Sequence, residues 1–148
     1  MKTADAIIQE EFDDPHARVV AGIFRIHSHM LTEQNKLFKA SGITAGEYHV
    51  LKILSGESST VSVSSIQERM INKMSNTSRL VEKLNRKGLA DRAPCPTDRR
   101  QVDVYITAQG LQKLEDLEND ILQLTKSMVH LSPGEVGLLN DLLERLRS

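Results

Sequence analysis

Apolar residues recur three and four positions apart through most of this chain, and the pattern changes to alternation in only a few short stretches. Val19, Val20, Ile23, Ile26, Met30, Leu31, Leu37 and Phe38 keep the helical period between an Asp13-Asp14-Pro15 start and a Ser41-Gly42 stop, which predicts one long helix across about residues 15–40. Gly22 inside it is unfavourable by about 1 kcal/mol relative to alanine and is expected to mark close packing. Thr44 caps a second helix with Glu47 as its capping-box partner; Tyr48, Leu51, Ile53 and Leu54 form the apolar face, and Ser55-Gly56 ends it. Val61-Ser62-Val63 alternates like a short strand. Ser64 or Ser65 opens a brief third helix holding Ile66, Met70 and Ile71, and Asn72-Lys73 turns the chain into a fourth. This fourth helix is capped by Ser75 or Asn76, buries Leu80, Val81 and Leu84, and stops at Gly88, which can take a left-handed cap.

After Gly88, Leu89, Asp91 and Ala93 alternate with Ala90, Arg92 and Pro94, and Val102, Val104 and Ile106 alternate with Asp103, Tyr105 and Thr107. These are two strands in hairpin relation, joined by Cys95-Pro96-Thr97-Asp98-Arg99-Arg100. Thr107 caps another long helix, along which Leu111, Leu114, Leu117, Ile121, Leu124 and Met128 form nearly a heptad seam. Ser132-Pro133 opens a last helix with Glu135 in its first turn and Val136, Leu139, Leu142, Leu143 and Leu146 on one face. The first dozen residues read as a loosely held tail with one apolar contact through Ile7, Ile8 and Phe12.

Two short helices joined by a turn, the second polar at its start, form a helix-turn-helix, and a basic hairpin after it makes a winged helix. The predicted fold class is therefore mainly α (α+β): a single domain over residues 1–148, with the winged helix-turn-helix in 42–108 and long helices in 13–41 and 108–147. Those flanking helices carry more apolar stripe than so small a winged helix can cover, so they are expected to interlock with a second copy in a two-fold homodimer.

Length and a charged fraction of 26% are those of an ordinary globular protein. No window approaches the roughly 18 uninterrupted apolar residues of a membrane span, and Asp5, Glu10, Glu11, Asp13 and Asp14 make the start too acidic for a signal or transit peptide. A cytoplasmic location and no membrane partner are expected. Cys95, the single cysteine, excludes an internal disulfide and a cysteine-rich zinc site. The five histidines are scattered without an acidic partner, and no nucleotide-binding glycine loop, nucleophile elbow or zinc-protease motif is present. No enzymatic activity, cofactor or metal is expected.

The net charge of −1 argues against a nucleic-acid partner, but its distribution reverses that reading. Residues 69–100 hold nine basic and three acidic side chains, whereas residues 1–20 and 107–148 are each net acidic. A compact basic segment is an electrostatic footprint for phosphate; a solvated charged face would give the same count. Within it, Ser75, Asn76, Thr77 and Arg79 crowd the N-terminal half of the fourth helix, the end that base-reading helices insert into the major groove. Arg79 can fork onto guanine O6/N7 and Asn76 onto adenine N6/N7. Lys73, Lys83, Arg86 and Lys87 are assigned to phosphate or solvent. The plainer alternative is that Ser75 or Asn76 only caps the helix and the rest are solvated.

The order of elements and the run Leu84-Asn85-Arg86-Lys87-Gly88-Leu89, followed by Asp98-Arg99-Arg100, Val102, Val104, Ile106-Thr107 and Gly110, resemble the MarR family of bacterial transcription factors. Thr44-Ala45-Gly46-Glu47-Tyr48-His49-Val50-Leu51 similarly resembles the family's helix before the helix-turn-helix. The likeness covers roughly residues 20–130. It implies a homodimer on a pseudo-palindrome of double-stranded DNA, with one recognition helix in the major groove and one wing towards the minor groove per subunit. It also implies that Asp98 braces Arg100 in the wing while Arg99 meets phosphate.

Many members of that family respond to small aromatic or phenolic ligands, and Phe24, His27, Phe38, Tyr48 and His49 are the candidate pocket here, with core packing as the plainer reading. The cysteine of the peroxide-sensing branch lies near the N-terminus, where this chain has none. Cys95 between Pro94 and Pro96 is instead a candidate redox residue through neighbouring arginines that would lower its pKa. The leading expectation is a ligand-responsive repressor; the alternative is a winged-helix module that binds an acidic protein.

Overall fold

A computed structural model describes residues 13–95 and 97–148, and the expected contact of Ile7, Ile8 and Phe12 lies outside them. The elements run α1 (Pro15–Ser41), α2 (Ala45–Ser55), β1 (Val61–Ser62), α3 (Val63–Arg69), α4 (Thr77–Arg86), β2 (Ala90–Pro94), β3 (Val102–Ile106), α5 (Ala108–Met128) and α6 (Pro133–Arg147). This is a mainly helical winged helix-turn-helix carrying long flanking helices.

Local signals set most boundaries. Asp14 caps α1 by accepting the His16 and Ala17 N–H groups at 2.8 and 3.1 Å, with Pro15 behind it where no amide is needed. Gly42, at φ +80°, ends that helix in the left-handed region. Thr44 caps α2, and Ser132 and Glu135 form a reciprocal capping box on α6. The third helix begins earlier than expected, because Ser62 rather than Ser64 or Ser65 caps it, so Val63 belongs to the helix and not to the strand. It also ends earlier. Met70 is already extended and buried, whereas Ile71 is exposed and contributes nothing to the apolar face assigned to it.

The sheet has strand order β1-β3-β2, all antiparallel. β2 and β3 pair from Ala90↔Ile106 to Pro94↔Val102, and β1 adds a third strand through Val61↔Val104. Val104 is thereby shut into a core with Val50, Leu51, Leu54, Ile66, Val81 and Leu84. Leu114 and Leu117 of α5 close that core, which is how α5 holds the winged unit to α1. The rest of the expected α5 seam is half-buried or, at Leu111, exposed. No residue of α6 is buried. Gly22, read from sequence as a close-packing position, would meet nothing within 4 Å if given a Cβ.

Close packing falls instead on Gly110, at the start of α5. Thr107 caps α5 by accepting the Gly110 N–H at 3.1 Å while donating to the Gly88 carbonyl at 2.7 Å, so the end of α4 and the start of α5 share one hydroxyl. A Cβ on Gly110 would stand 2.0 Å from the Leu89 carbonyl oxygen, which is backbone and cannot swing aside. Gly110→Ala is expected to lower unfolding stability by at least about 2 kcal/mol, seen as an earlier urea midpoint with an unchanged slope.

Candidate nucleic-acid interface

The polar start of α4 is organised by its cap. Asn76 is extended and its Oδ1 accepts the Arg79 N–H at 3.2 Å, so Asn76, not Ser75, is the capping residue. Its oxygen serves the helix, and the Nδ2 amide is the donor it has to offer a base. Ser75 is half-buried, and Asn76 and Arg79 are exposed. The Arg79 guanidinium has no hydrogen-bond or ion-pair partner among the described residues. Ser75, Asn76, Arg79 and Lys83 line one shallow groove together with Thr44, Gly46 and Leu80. α2 can approach that closely because Gly46 has no side chain: a Cβ there would press on Leu80 at 3.1 Å.

Thr77 does not belong with these residues. Expected as a base reader, it is 3% exposed and its hydroxyl donates to Gln67 Oε1 on α3. A hydroxyl sealed between the two helices of the motif cannot meet a base edge. Gln67 also donates from Nε2 to the Lys73 carbonyl at 3.2 Å, so one amide side chain pins both the turn and the first turn of α4. Sequence reasoning missed Gln67, since nothing in its spacing distinguishes it from a solvated polar residue.

The expected phosphate-facing cations divide. Lys73 is exposed and its ammonium reaches the Glu68 carbonyl. Lys83 is half-exposed and has no partner among the described residues. Arg86 pairs with Glu82 one turn earlier. Lys87 turns inward, against expectation: its Nζ lies 2.7 Å from Glu47 Oε2 and 2.9 Å from the Gly42 carbonyl. Glu47 is 1% exposed, and the Thr44 hydroxyl donates to its other oxygen at 3.3 Å. The Thr44–Glu47 capping pair was visible in the sequence, but its lysine was not.

In the wing, Arg99 and Arg100 are exposed and neither guanidinium has a partner among the described residues. Asp98 braces Arg100 through the backbone, its Oδ1 accepting the Arg100 N–H at 2.9 Å, and not through the guanidinium. Cys95 is half-exposed, and its thiol is held below the usual range by the Thr97 hydroxyl, 3.3 Å from Sγ, and by the Thr97 and Asp98 N–H groups. The arginines expected to lower it are not the cause.

The five residues proposed for an effector pocket are not brought together. Phe38 is buried against Tyr48 with ring centroids 5.5 Å apart, and Tyr48 stacks obliquely on His49 at 5.6 Å. Burial pushes the Tyr48 hydroxyl up and the His49 imidazole down in pKa. Phe24 and His27 are exposed on the outer length of α1. A larger open cleft, of about 940 Å3, lies where α1 meets the α5–α6 connection and is lined by Ile26, His29, Met30, Met128, His130 and Leu139 among others. Among the described residues no group of three His, Cys, Asp or Glu side chains could hold a metal ion, and no helix is long and apolar enough to cross a membrane.

Comparison with known proteins bears on this geometry. The model of the MarR family matches residues 43–102. Over 121 residues the chain is 32% identical to the HTH-type transcriptional repressor IacR of Pseudomonas putida, a span of 81% of this chain and 72% of that protein. Its fold is similar to the crystal structure of YusO from Bacillus subtilis (TM-score 0.73, 22% identity, 99% of this chain and 98% of the other). It is likewise similar to BpsR of Bordetella bronchiseptica (TM-score 0.71, 22% identity, 88% and 99%), a protein whose DNA binding is regulated by 6-hydroxynicotinic acid.

The inward lysine makes a measurable difference between two cations on one helix end. Lys87→Met leaves a buried carboxylate without its cation and is expected to lower stability by about 1–3 kcal/mol in chemical unfolding, reduced from a fully buried pair because the lysine side chain is 38% exposed. Lys83→Met should leave the unfolding curve within about 0.5 kcal/mol of wild type. Adding Glu47→Leu to Lys87→Met should recover part of the loss, because no orphaned charge then remains.

Proposed function

The chain belongs to the MarR family of transcriptional regulators, and on that premise we propose that it is a repressor that reads a pseudo-palindromic operator as a homodimer and is released by a small aromatic effector. DNA binding and transcription regulation follow from the family. The finer reading is carried by one observation: an exposed Arg79 with no protein partner among the described residues, beside the Asn76 amide and Ser75, at the start of a helix whose wing presents two more such arginines.

Arg79, Asn76 and Ser75 read base edges in the major groove, Arg99 and Arg100 reach the minor groove or its phosphates, and Lys73 and Lys83 neutralise phosphate. Phosphate contacts set affinity and orientation; only the base contacts carry sequence. The dimer is supported by apolar side chains that the subunit leaves in water, among them Val19, Val20 and Ile23 on α1 and Leu138, Leu142 and Leu146 on α6. Patches of that kind on otherwise polar helices mark association surfaces. Pairing through them sets the separation of the two α4 helices, which must be about one helical turn of DNA, roughly 34–36 Å, to read both half-sites.

An effector acts by preferring a different separation, and it shifts the equilibrium only by its differential affinity for the two states. The regulation of BpsR by a hydroxylated aromatic acid supports that ligand class here. The Phe38–Tyr48–His49 cluster, at the joint between α1 and α2, is where such a ring would change the angle between the pairing helices and the reader.

Selection from a random duplex pool tests the reading. Arg79→Ala should bind the selected site about 1–3 kcal/mol more weakly and lose preference at one base pair, with little change on random duplex. Lys83→Met should weaken both and reduce the slope of log affinity against log salt by about one. Light scattering at micromolar concentration should give twice the chain mass; a monomer, or equal affinity for selected and random duplexes, would reject the corresponding part.

A further inference from the structure

We propose that Met74 is a specificity-determining residue that reads the 5-methyl group of a thymine in the major groove, an inference that rests on α4 entering that groove. Met74 is 92% exposed, more than any other large hydrophobic side chain described. Scattered exposed apolar residues are ordinary, so exposure alone decides nothing. Its surroundings do.

The turn that carries Met74 is pinned on both sides. The Met74 N–H donates to Asn72 Oδ1 at 3.0 Å, and the Ser75 N–H donates to the Asn72 carbonyl at 3.1 Å. Just before it, the Lys73 carbonyl accepts from Gln67 Nε2, and just after it the same Gln67 holds Thr77 through its hydroxyl. The backbone at Met74 is held by Asn72 and Gln67 in a turn that leaves the side chain in solvent.

The residues that flank it along the chain are polar and cationic. Ser75 follows directly, Asn76 and Arg79 lie on the next turn, and Lys73 precedes it. A lone thioether within such a set does not suit an apolar protein partner, whose contact would bury the cations as well. Nor does it belong to the uncovered apolar faces of α1 and α6, which are on other elements of the chain. The set does suit duplex DNA. Phosphates take the cations and base edges take the amide, hydroxyl and guanidinium, while the one apolar group on the major-groove edge of a base pair is the thymine methyl. Methionine, unbranched and polarisable, can follow a methyl whose position shifts with local DNA shape. Ile71, also exposed, stands at the other end of the turn beside the buried Met70 and further along the chain from Ser75, Asn76 and Arg79.

The test uses the full chain and a site selected from random duplexes by the wild-type protein. Each thymine of the site is replaced in turn by deoxyuridine, which removes the methyl and preserves pairing. Wild type should lose about fourfold in affinity at one thymine per half-site, the size of one buried methyl. Met74→Ala, which removes the contact in both half-sites of the dimer, should bind the unmodified site about sixteenfold more weakly and show no thymine-to-uracil difference at that position, while keeping any difference elsewhere. Met74→Leu should retain the discrimination. If Met74→Ala keeps the wild-type ratio at every thymine, or wild type shows no ratio anywhere on a site that it still prefers over random duplex, Met74 is not a reader and the α4 assignment stands. If no site is preferred at all, the operator reading fails and this inference goes with it.

Discussion

A carboxylate at 1% exposure is stable only while a cation remains beside it, and for Glu47 that cation comes from forty residues further along the chain. Lys87 does more than neutralise it. By also donating to the Gly42 carbonyl, it joins the left-handed end of α1, the capped start of α2 and the end of α4 at one ammonium. Gly88, in the left-handed region, then lets the chain reverse into β2, with the Leu89 N–H returning to the Leu84 carbonyl at 3.0 Å. α4 is thus held at its C-terminal end by charge and at its N-terminal end by Gln67. On the exposed part of its first turn, Asn76 caps the helix and the Arg79 guanidinium has no partner among the described residues.

That division explains which polar residues are available for recognition. Thr77, Lys87 and Arg86 are each engaged within the subunit, by Gln67, Glu47 and Glu82 respectively. Arg79, Arg99 and Arg100 have no such partner among the described residues, and Ser75 and the Asn76 amide sit with Arg79 in the groove at the mouth of α2. Asn85 and Tyr105 both bond to Asp91, tying the end of α4 to the hairpin. In the proposed complex, phosphate and base contacts would then share a common frame, which a pair of independently mobile elements would not supply.

Period and caps made the elements legible from sequence. Asp14, Thr44, Asn76, Thr107 and Ser132 each announce a helix by a local rule, and the structure has a helix at each. The errors fall where a local rule met a longer-range demand. Ile71 fitted the helical period of α3, but Met70 takes the extended conformation that starts the turn. Thr77 looked like its neighbours Ser75 and Asn76, yet it faces Gln67, and one step along a helix rotates a side chain by about 100°. Lys87 looked like Lys83, four residues earlier, because a sequence does not record that a carboxylate from α2 lies beneath one of them. The five-residue pocket was divided for the same reason: Phe24 and Phe38 share a helix but not an environment, one 68% and the other 7% exposed, and only Phe38 joins Tyr48 and His49.

The helix that ends the chain has fifteen residues and buries none of them. An isolated helix of that length is marginal in water, and its stability must come from whatever covers its apolar face. In the proposed dimer the free energy gained on covering it depends on how much of the second copy is present, so the ordering of α6 would follow mass action. If the proposed dimer supplies that cover, dosage enters the fold itself: at low copy number the C-terminal helix would fray first, while the winged unit, closed by Leu114 and Leu117, would stay folded.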